Sequence, residues 1–72
     1  MDRRHIRYVT RWWTRRITLI LDEFRLHVYP ARKGWELFNP RSGERRVFDW
    51  RTSAITNAEL QLVALATLNR NS

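Results

Sequence analysis

The sequence has no cysteine and, among 72 residues, only two glycines and two prolines. Without cysteine, disulfide bonds and thiolate metal sites are excluded, so a small domain must find stability elsewhere, for example by forming a homodimer. A cysteine-free chain also suits a reducing cytoplasm, where we expect the protein to act. No apolar run approaches the roughly 20 residues of a membrane-spanning helix. The N-terminus also lacks the apolar core of a secretory signal. We predict one small domain over residues 1–72.

Residues typical of enzyme active sites are also scarce. The chain has two histidines and seven acids, and it contains no nucleophile elbow, phosphate-binding glycine loop or zinc signature. Glu23 and His27 are four residues apart and would share a helix face. However, the local pattern places His27 on a strand, and two ligands do not make a metal site. We therefore expect a protein that is not an enzyme and needs no metal or cofactor.

Positive charge is abundant, and nearly all of it comes from arginine. Fourteen Lys plus Arg against seven Asp plus Glu give a formal net charge of +7, and Lys33 is the only lysine. Arginine has a planar fork that binds phosphate and carboxylate groups and stacks on aromatic rings. Nine of the fourteen basic residues lie in residues 1–33, so the charge is concentrated in the first half of the chain.

The first third of the chain shows a helical period, with an apolar arc opposite a row of arginines. The arc contains Ile6, Val9, Trp13, Ile17, Ile20, Leu21 and Phe24, and the row contains Arg4, Arg7, Arg11 and Arg15. The β-branched residues Ile17, Thr18 and Ile20 argue against a helix, as do charges that oppose the helix dipole. On balance we predict a helix from about residue 3 to an end between residues 16 and 22.

The pattern then changes to that of strands. Residues 24–29 alternate between apolar and polar and form the first predicted strand, followed by strands at 35–38 and 44–50 and turns at 30–34 and 40–43. A capping box at residues 56–59 predicts a second helix from Asn57 to about Asn69. The predicted fold is therefore α+β: an N-terminal amphipathic helix, a three-stranded antiparallel meander and a C-terminal helix, with both helices on one sheet face.

The C-terminal helix is apolar nearly all round, which is typical of a helix buried on more than one side. Its second side contains Leu62, Leu65 and Ala66. Either the N-terminal helix or another copy of the chain could cover that side, so these three residues are candidate oligomer or partner contacts. Trp13, Trp35 and Trp50 are expected in the core, because a small domain needs large apolar residues there.

The arginine row of the first predicted helix is the leading candidate for a binding surface. No acid lies three or four residues from Arg7, Arg11 or Arg15, so nothing on the helix relieves their mutual repulsion. Phosphates of a nucleic acid would neutralise the row, and Tyr8 and Trp12 beside it would stack on bases. An acidic protein surface and an ordinary solvated face are the alternatives.

The sheet offers a second candidate surface. Arg25, His27 and Tyr29 of the first predicted strand would share a face with Arg45 and Arg51 of the third. Such a polar face could enter a nucleic-acid groove, as two-stranded ribbons do. The alternative interpretation is an ordinary solvated face of an antiparallel sheet.

Residues 34–68, from Gly34-Trp35 through the hairpin to the capped helix, resemble the second half of small β-β-β-α modules common in phages and mobile elements. Their layout is similar to that of the arm-type DNA-binding domain of tyrosine integrases. Several small phage inhibitors of host defence complexes share the same outline. The predicted N-terminal helix and the lack of a following catalytic domain depart from the integrase pattern. The resemblance therefore implies DNA or partner binding, without integrase activity.

Together these patterns predict a non-enzymatic, basic, nucleic-acid-binding accessory protein, of phage or plasmid type, that binds DNA or RNA. Its predicted contacts are Arg4, Arg7, Tyr8, Arg11, Trp12, Arg15, Arg25, Arg45 and Arg51. The alternative is a small protein-interaction module or inhibitor that binds an acidic surface of a host complex. A membrane surface, which Trp12, Trp13 and the arginines would also suit, is the third and least favoured alternative.

Overall fold

The computed structural model describes residues 5–71, which form a five-stranded antiparallel sheet followed by one helix. The strands are β1 (Arg7–Arg11), β2 (Arg16–Leu21), β3 (Phe24–Ala31), β4 (Gly34–Phe38) and β5 (Arg45–Phe48), and the helix is α1 (Arg51–Arg70). Each strand pairs with the next one along the chain. The sheet is therefore a simple meander, with β1 and β5 at its edges.

The predicted N-terminal helix is wrong, because residues 7–21 form the hairpin of β1 and β2. In β2, Ile17, Leu19 and Leu21 are buried and alternate with half-buried neighbours, which is the period of a strand. Ile17 and Leu21 also fall on the predicted helical arc, because apolar residues are dense in this segment. The β-branched residues of this segment favour a strand, and their tertiary contacts decide the outcome.

The three predicted strands correspond to β3, β4 and β5, with different bounds. β3 continues through Pro30 to Ala31, whereas Pro30 was expected to end it. The pairing of β3 with β2 ends at Val28, which lies opposite Ile17. Pro30 lies beyond that point and pairs only with Trp35 of β4. A proline is tolerated there because one side of the strand carries no ladder hydrogen bonds.

The helix begins at Arg51, six residues before the predicted start at Asn57, and the capping box lies inside it. Trp50 occupies the N-cap position without a side-chain cap bond. The early start is explained by packing, because Ala54 is completely buried against the sheet. Burial of an apolar face thus outweighs a good capping sequence. Within residues 5–71, no helix combines the length and apolar character needed to cross a membrane.

The core lies between α1 and one face of the sheet. The helix contributes its buried row Ala54, Ala58, Leu62 and Ala66, and the sheet contributes Ile17, Leu19, Leu21, Phe24, Leu26, Val28 and Leu37. Alanine at three of these four positions lets the helix approach the strands closely. Leu62 and Ala66 are buried in this core and Leu65 packs against it. Their apolar character is therefore explained within the chain rather than by a partner.

Two of the three tryptophans expected in the core lie at the surface. Trp13 is 64% exposed and Trp50 is 71% exposed, whereas Trp35 is partly buried against the core. Trp13 lies in the turn between β1 and β2, and Trp50 in the connection between β5 and α1. Both connections lie at the same end of the sheet, since successive turns of a meander alternate between its ends. That end therefore exposes large aromatic side chains.

Candidate nucleic-acid interface

One face of the sheet packs against α1, and the opposite face has no element over it among residues 5–71. We call this opposite surface the open face. It consists of Arg7, Val9 and Arg11 from β1, Arg16, Thr18 and Ile20 from β2, Arg25, His27 and Tyr29 from β3, Glu36 and Phe38 from β4, and Arg45 and Val47 from β5. Five arginines and one acid thus share a single sheet surface.

A row of side chains crosses the middle of the open face in register. Thr18 pairs with His27, His27 with Phe38, and Phe38 with Arg45. Thr18 Oγ1 lies 3.0 Å from His27 Nδ1, and the imidazole stacks on the Phe38 ring with 6.3 Å between centroids and an interplanar angle of 20°. The Arg45 guanidinium lies over the same Phe38 ring, 4.5 Å from its centroid. The row therefore forms a line of stacked planar groups across three neighbouring strands.

The single acid of the open face is already paired. Arg45 Nη1 donates a hydrogen bond to Glu36 Oε2 at 2.9 Å and another to the Tyr29 hydroxyl oxygen at 3.2 Å. The Tyr29 hydroxyl in turn donates to the Glu36 carboxylate. Burial and this contact with Glu36 raise the pKa of Tyr29 above its ordinary value. Glu36 therefore neutralises Arg45 and leaves the other arginines of the face without an acid partner among residues 5–71.

Positive potential on the open face also affects its histidine. Partial burial, followed by the charges of Arg16, Arg25 and Arg11, lowers the pKa of His27. Within residues 5–71, Arg45 and Glu36 form the only ion pair. Four arginines, Arg7, Arg11, Arg16 and Arg25, thus place their charge on one surface without compensation. Such a surface attracts anions.

An open depression of about 510 Å³ lies at one end of the open face. It is lined by Thr14, Arg16, Tyr29, Pro30, Phe38 and Arg45. Two arginines and two aromatic rings face this space, which is the combination that binds phosphate and stacks on planar groups. The Nε of Arg16 is buried and has no hydrogen-bond partner among the described residues. A ligand oxygen placed in the depression could reach the outer nitrogens of the same guanidinium.

The structure separates the arginines that were predicted to share one helix face. Arg7 and Arg11 lie on the open face, because an even spacing also keeps two residues on one side of a strand. Arg15 lies in the turn between β1 and β2, with a left-handed backbone at φ 58°. Arg51, which was predicted to lie on the sheet face with Arg45, is instead in the first turn of α1, with its guanidinium 5.7 Å from the Trp35 ring centroid. Arg4 lies outside the described residues.

The two predicted stacking residues are also separated. Tyr8 lies on the helix side of β1, where its hydroxyl donates to the Glu59 carboxylate of α1. It therefore does not lie beside Arg7 and Arg11, as it would in a helix. Trp12 lies in the turn after β1 and is 80% exposed. It contacts Trp13 edge to face, with 5.7 Å between ring centroids.

Four of the five residues predicted to share a sheet face, Arg25, His27, Tyr29 and Arg45, lie on one surface, whereas Arg51 belongs to α1. Sequence reasoning missed Arg16 and Phe38, which also belong to that surface. The signal for Arg16 was the strict alternation of residues 16–21, in which Arg16, Thr18 and Ile20 face away from the core. Phe38 carried no such signal, because an aromatic residue in a strand is usually assigned to the core.

No protein-family model, curated protein or solved structure matches the chain. The resemblance of residues 34–68 to phage modules therefore stays a prediction. In the part of the chain from residue 5 to residue 71, no three acidic or histidine side chains lie close enough together to hold a metal ion. The geometry and the charge of the open face are therefore the observations that bear on function.

Proposed function

We propose that the protein binds nucleic acid without acting as an enzyme, and that the open face of the sheet is its binding surface. The observation that supports this most directly is the distribution of charge. Arg7, Arg11, Arg16 and Arg25 lie on three adjacent strands, and the one acid of the face is paired with Arg45. A polyanion laid across the sheet would neutralise charges that nothing else among the described residues neutralises.

The planar groups of the open face give the polyanion a second type of contact. His27, Phe38 and the Arg45 guanidinium form a stacked row beside the arginines. A sheet that exposes aromatic rings between basic residues is a common platform for bases and sugars. The carboxylates of an acidic protein surface could pair with the arginines, but they would not stack on the rings of His27 and Phe38. We therefore favour nucleic acid over an acidic protein partner.

The proposal is tested by salt titration of nucleic-acid binding with two variants of equal charge. In the first, Arg7, Arg11 and Arg25 of the open face are changed to Gln, and in the second, Arg41, Arg46 and Arg70 are changed to Gln. Both variants lower the formal net charge from +7 to +4. Arg46 lies on the helix side of β5, Arg41 in the connection before β5 and Arg70 at the end of α1, so the second variant leaves the open face intact.

Removal of three phosphate contacts should reduce the slope of log K against log salt by about 2.7 for duplex DNA or about 2.1 for a single strand. We expect this change in the open-face variant and only a small change in the control variant. Equal loss in the two variants would show a response to net charge alone. If the wild-type protein binds neither DNA nor RNA near physiological salt, the proposal is wrong, and the arginines then fit an acidic protein partner.

A further inference from the structure

A second site lies at the end of the sheet where Trp12 and Trp50 are exposed. An open groove of about 400 Å³ runs between the β1–β2 turn and the start of α1, on the helix side of the sheet. It is lined by Thr10, Trp12, Arg15, Ile17, Trp35 and Arg51. Its volume lies within the range of about 300 to 1,000 Å³ that is usual for small-molecule sites. We call it the tryptophan groove.

The tryptophan groove combines two indole rings with two guanidinium groups. Trp12 is 80% exposed, and Trp35 is partly buried beneath the Arg51 guanidinium. Neither Arg15 nor Arg51 forms an ion pair with another residue in the 5–71 region. Indole rings favour a flat aromatic ligand, and the guanidinium groups favour phosphate. A nucleotide has both of these parts.

The backbone at Arg15 supports a role for its side chain. Arg15 adopts a left-handed conformation at φ 58°, which costs about 1 to 2 kcal/mol for a residue with a Cβ. Glycine would adopt this conformation without that penalty. The turn is fixed from within, since Thr14 donates its backbone N–H to the Arg11 carbonyl oxygen at 3.1 Å and accepts from the Arg16 N–H through Oγ1 at 3.3 Å. The backbone of Arg15 is therefore held in a well-defined turn, and its side chain lines the groove.

The tryptophan groove adjoins the open face. Arg11 and Arg16 pair across β1 and β2 and lie on the open face at the base of the turn that carries Trp12 and Arg15. A strand of nucleic acid that crosses the open face can therefore continue round this end of the sheet. In a duplex, the base faces are covered by stacking, so only an unpaired base can present its face to the indole rings.

We infer that the tryptophan groove binds an unpaired nucleotide, so that the protein prefers single-stranded nucleic acid to duplex. In the bound state the base stacks on Trp12, and Arg15 and Arg51 contact the adjacent phosphate. This inference rests on the proposed function, because the open face supplies the remaining phosphate contacts. It goes further by naming the form of nucleic acid and a site outside the open face.

The test compares the affinity for a labelled single strand with the affinity for the matching duplex, measured by fluorescence anisotropy. The Trp12→Ala variant should bind the single strand at least about five-fold more weakly, because stacking on an aromatic side chain contributes about 1 to 3 kcal/mol per base. Its affinity for duplex should not change. Trp50→Ala is the matched control, since Trp50 is also exposed at this end and does not line the groove.

The Arg15→Gly variant provides an independent measurement that does not depend on removal of an aromatic ring. It should reduce the salt slope for the single strand by about 0.7 and leave the slope for duplex unchanged. Glycine suits the left-handed turn, so the fold should be retained, and a thermal melt checks this. DNA and RNA single strands are tested side by side to identify the sugar that the site accepts.

The inference is overturned if Trp12→Ala and Trp50→Ala behave alike, or if duplex binding falls as much as single-strand binding. In either case the wild-type protein still binds nucleic acid and the proposed function stands. If the wild-type protein binds neither form, the proposed function fails and this inference fails with it. Failure of the groove alone is therefore distinguished from failure of the binding surface as a whole.

Discussion

Removal of the acid on the open face should strengthen nucleic-acid binding while it weakens the fold slightly. Glu36 accepts hydrogen bonds from Arg45 at 2.9 Å and from the Tyr29 hydroxyl. In a Glu36→Gln variant, the amide oxygen can still accept from these donors, but it no longer neutralises the arginine. The open face then gains one positive charge that is available to a phosphate.

The size of both effects follows from the geometry. One unit charge about 4 Å from another contributes about 1 kcal/mol in bulk water, which corresponds to roughly a five-fold gain in affinity. The salt slope for duplex should also become steeper by about 0.9, since a fifth arginine is free to contact phosphate. The Arg45 side chain is 59% exposed, so loss of the ion pair should cost at most about 1 kcal/mol of stability. For a chain of this size, that lowers Tm by at most about 4 to 8 °C.

Glu44→Gln is the matched control. It raises the formal net charge from +7 to +8 in the same way, but Glu44 lies in the connection before β5, outside the open face. Fluorescence anisotropy at several salt concentrations measures affinity, and thermal melting followed by circular dichroism measures stability. Tighter binding in both variants would show a general charge effect. Weaker binding of Glu36→Gln would refute the idea that Glu36 competes with phosphate for Arg45.

Three further predictions concern the fold. Gly34→Ala should lower the free energy of unfolding in urea by about 2 to 4 kcal/mol, because a Cβ there would lie 2.2 Å from the Phe48 carbonyl oxygen. Gly43→Ala should lower it by only about 1 kcal/mol, which is the cost of its positive φ. Similar losses of stability in the two variants would contradict the close approach at Gly34. The pKa of His27 is lowered in the folded protein, so the unfolded chain binds a proton at this histidine at a higher pH than the folded protein does. Stability should therefore fall as pH drops below about 6.5. A His27→Gln variant that kept the full pH dependence would disprove this. Arg15 already bears the cost of a left-handed backbone, so Arg15→Gly should raise stability by up to about 1 kcal/mol once the entropic cost of glycine is subtracted. Arg15→Val should lower stability, because a β-branched side chain fits a positive φ less well than arginine does; equal melting temperatures would argue against a left-handed backbone.

The sequence predicted secondary structure correctly where the apolar residues followed a single period. Residues 24–29 alternate clearly, and the turn around Gly43 carries Pro40 and Gly43, so β3, β4 and β5 were recognised with approximate bounds. The N-terminal hairpin was not recognised, because dense apolar residues and arginines four apart fit a helix and a strand equally well. A four-residue spacing keeps Arg7 and Arg11 on one side of either element. Only pairing with β3, which buries Ile17, selects the strand.

The candidate site shows the same limits. The shared face of Arg25, His27 and Tyr29 follows from strand alternation and was predicted. The contribution of Phe38 depends on the order of strands in the sheet, since its ring stacks on His27 of the neighbouring strand. The tryptophan groove is lined by residues of a turn and of a helix, and the nearest of these, Arg15 and Arg51, are 36 residues apart in sequence. Local patterns carry no information about such an arrangement.

The most direct test of nucleic-acid binding by the open face is an NMR titration that follows the Nε–Hε signals of the arginine side chains. We expect the signals of Arg7, Arg11, Arg16 and Arg25 to shift as DNA or RNA is added, because these guanidinium groups would contact phosphate. The signals of Arg41, Arg46 and Arg70 should stay in place. Shifts confined to these last three arginines, or no shifts at all, would contradict binding at the open face.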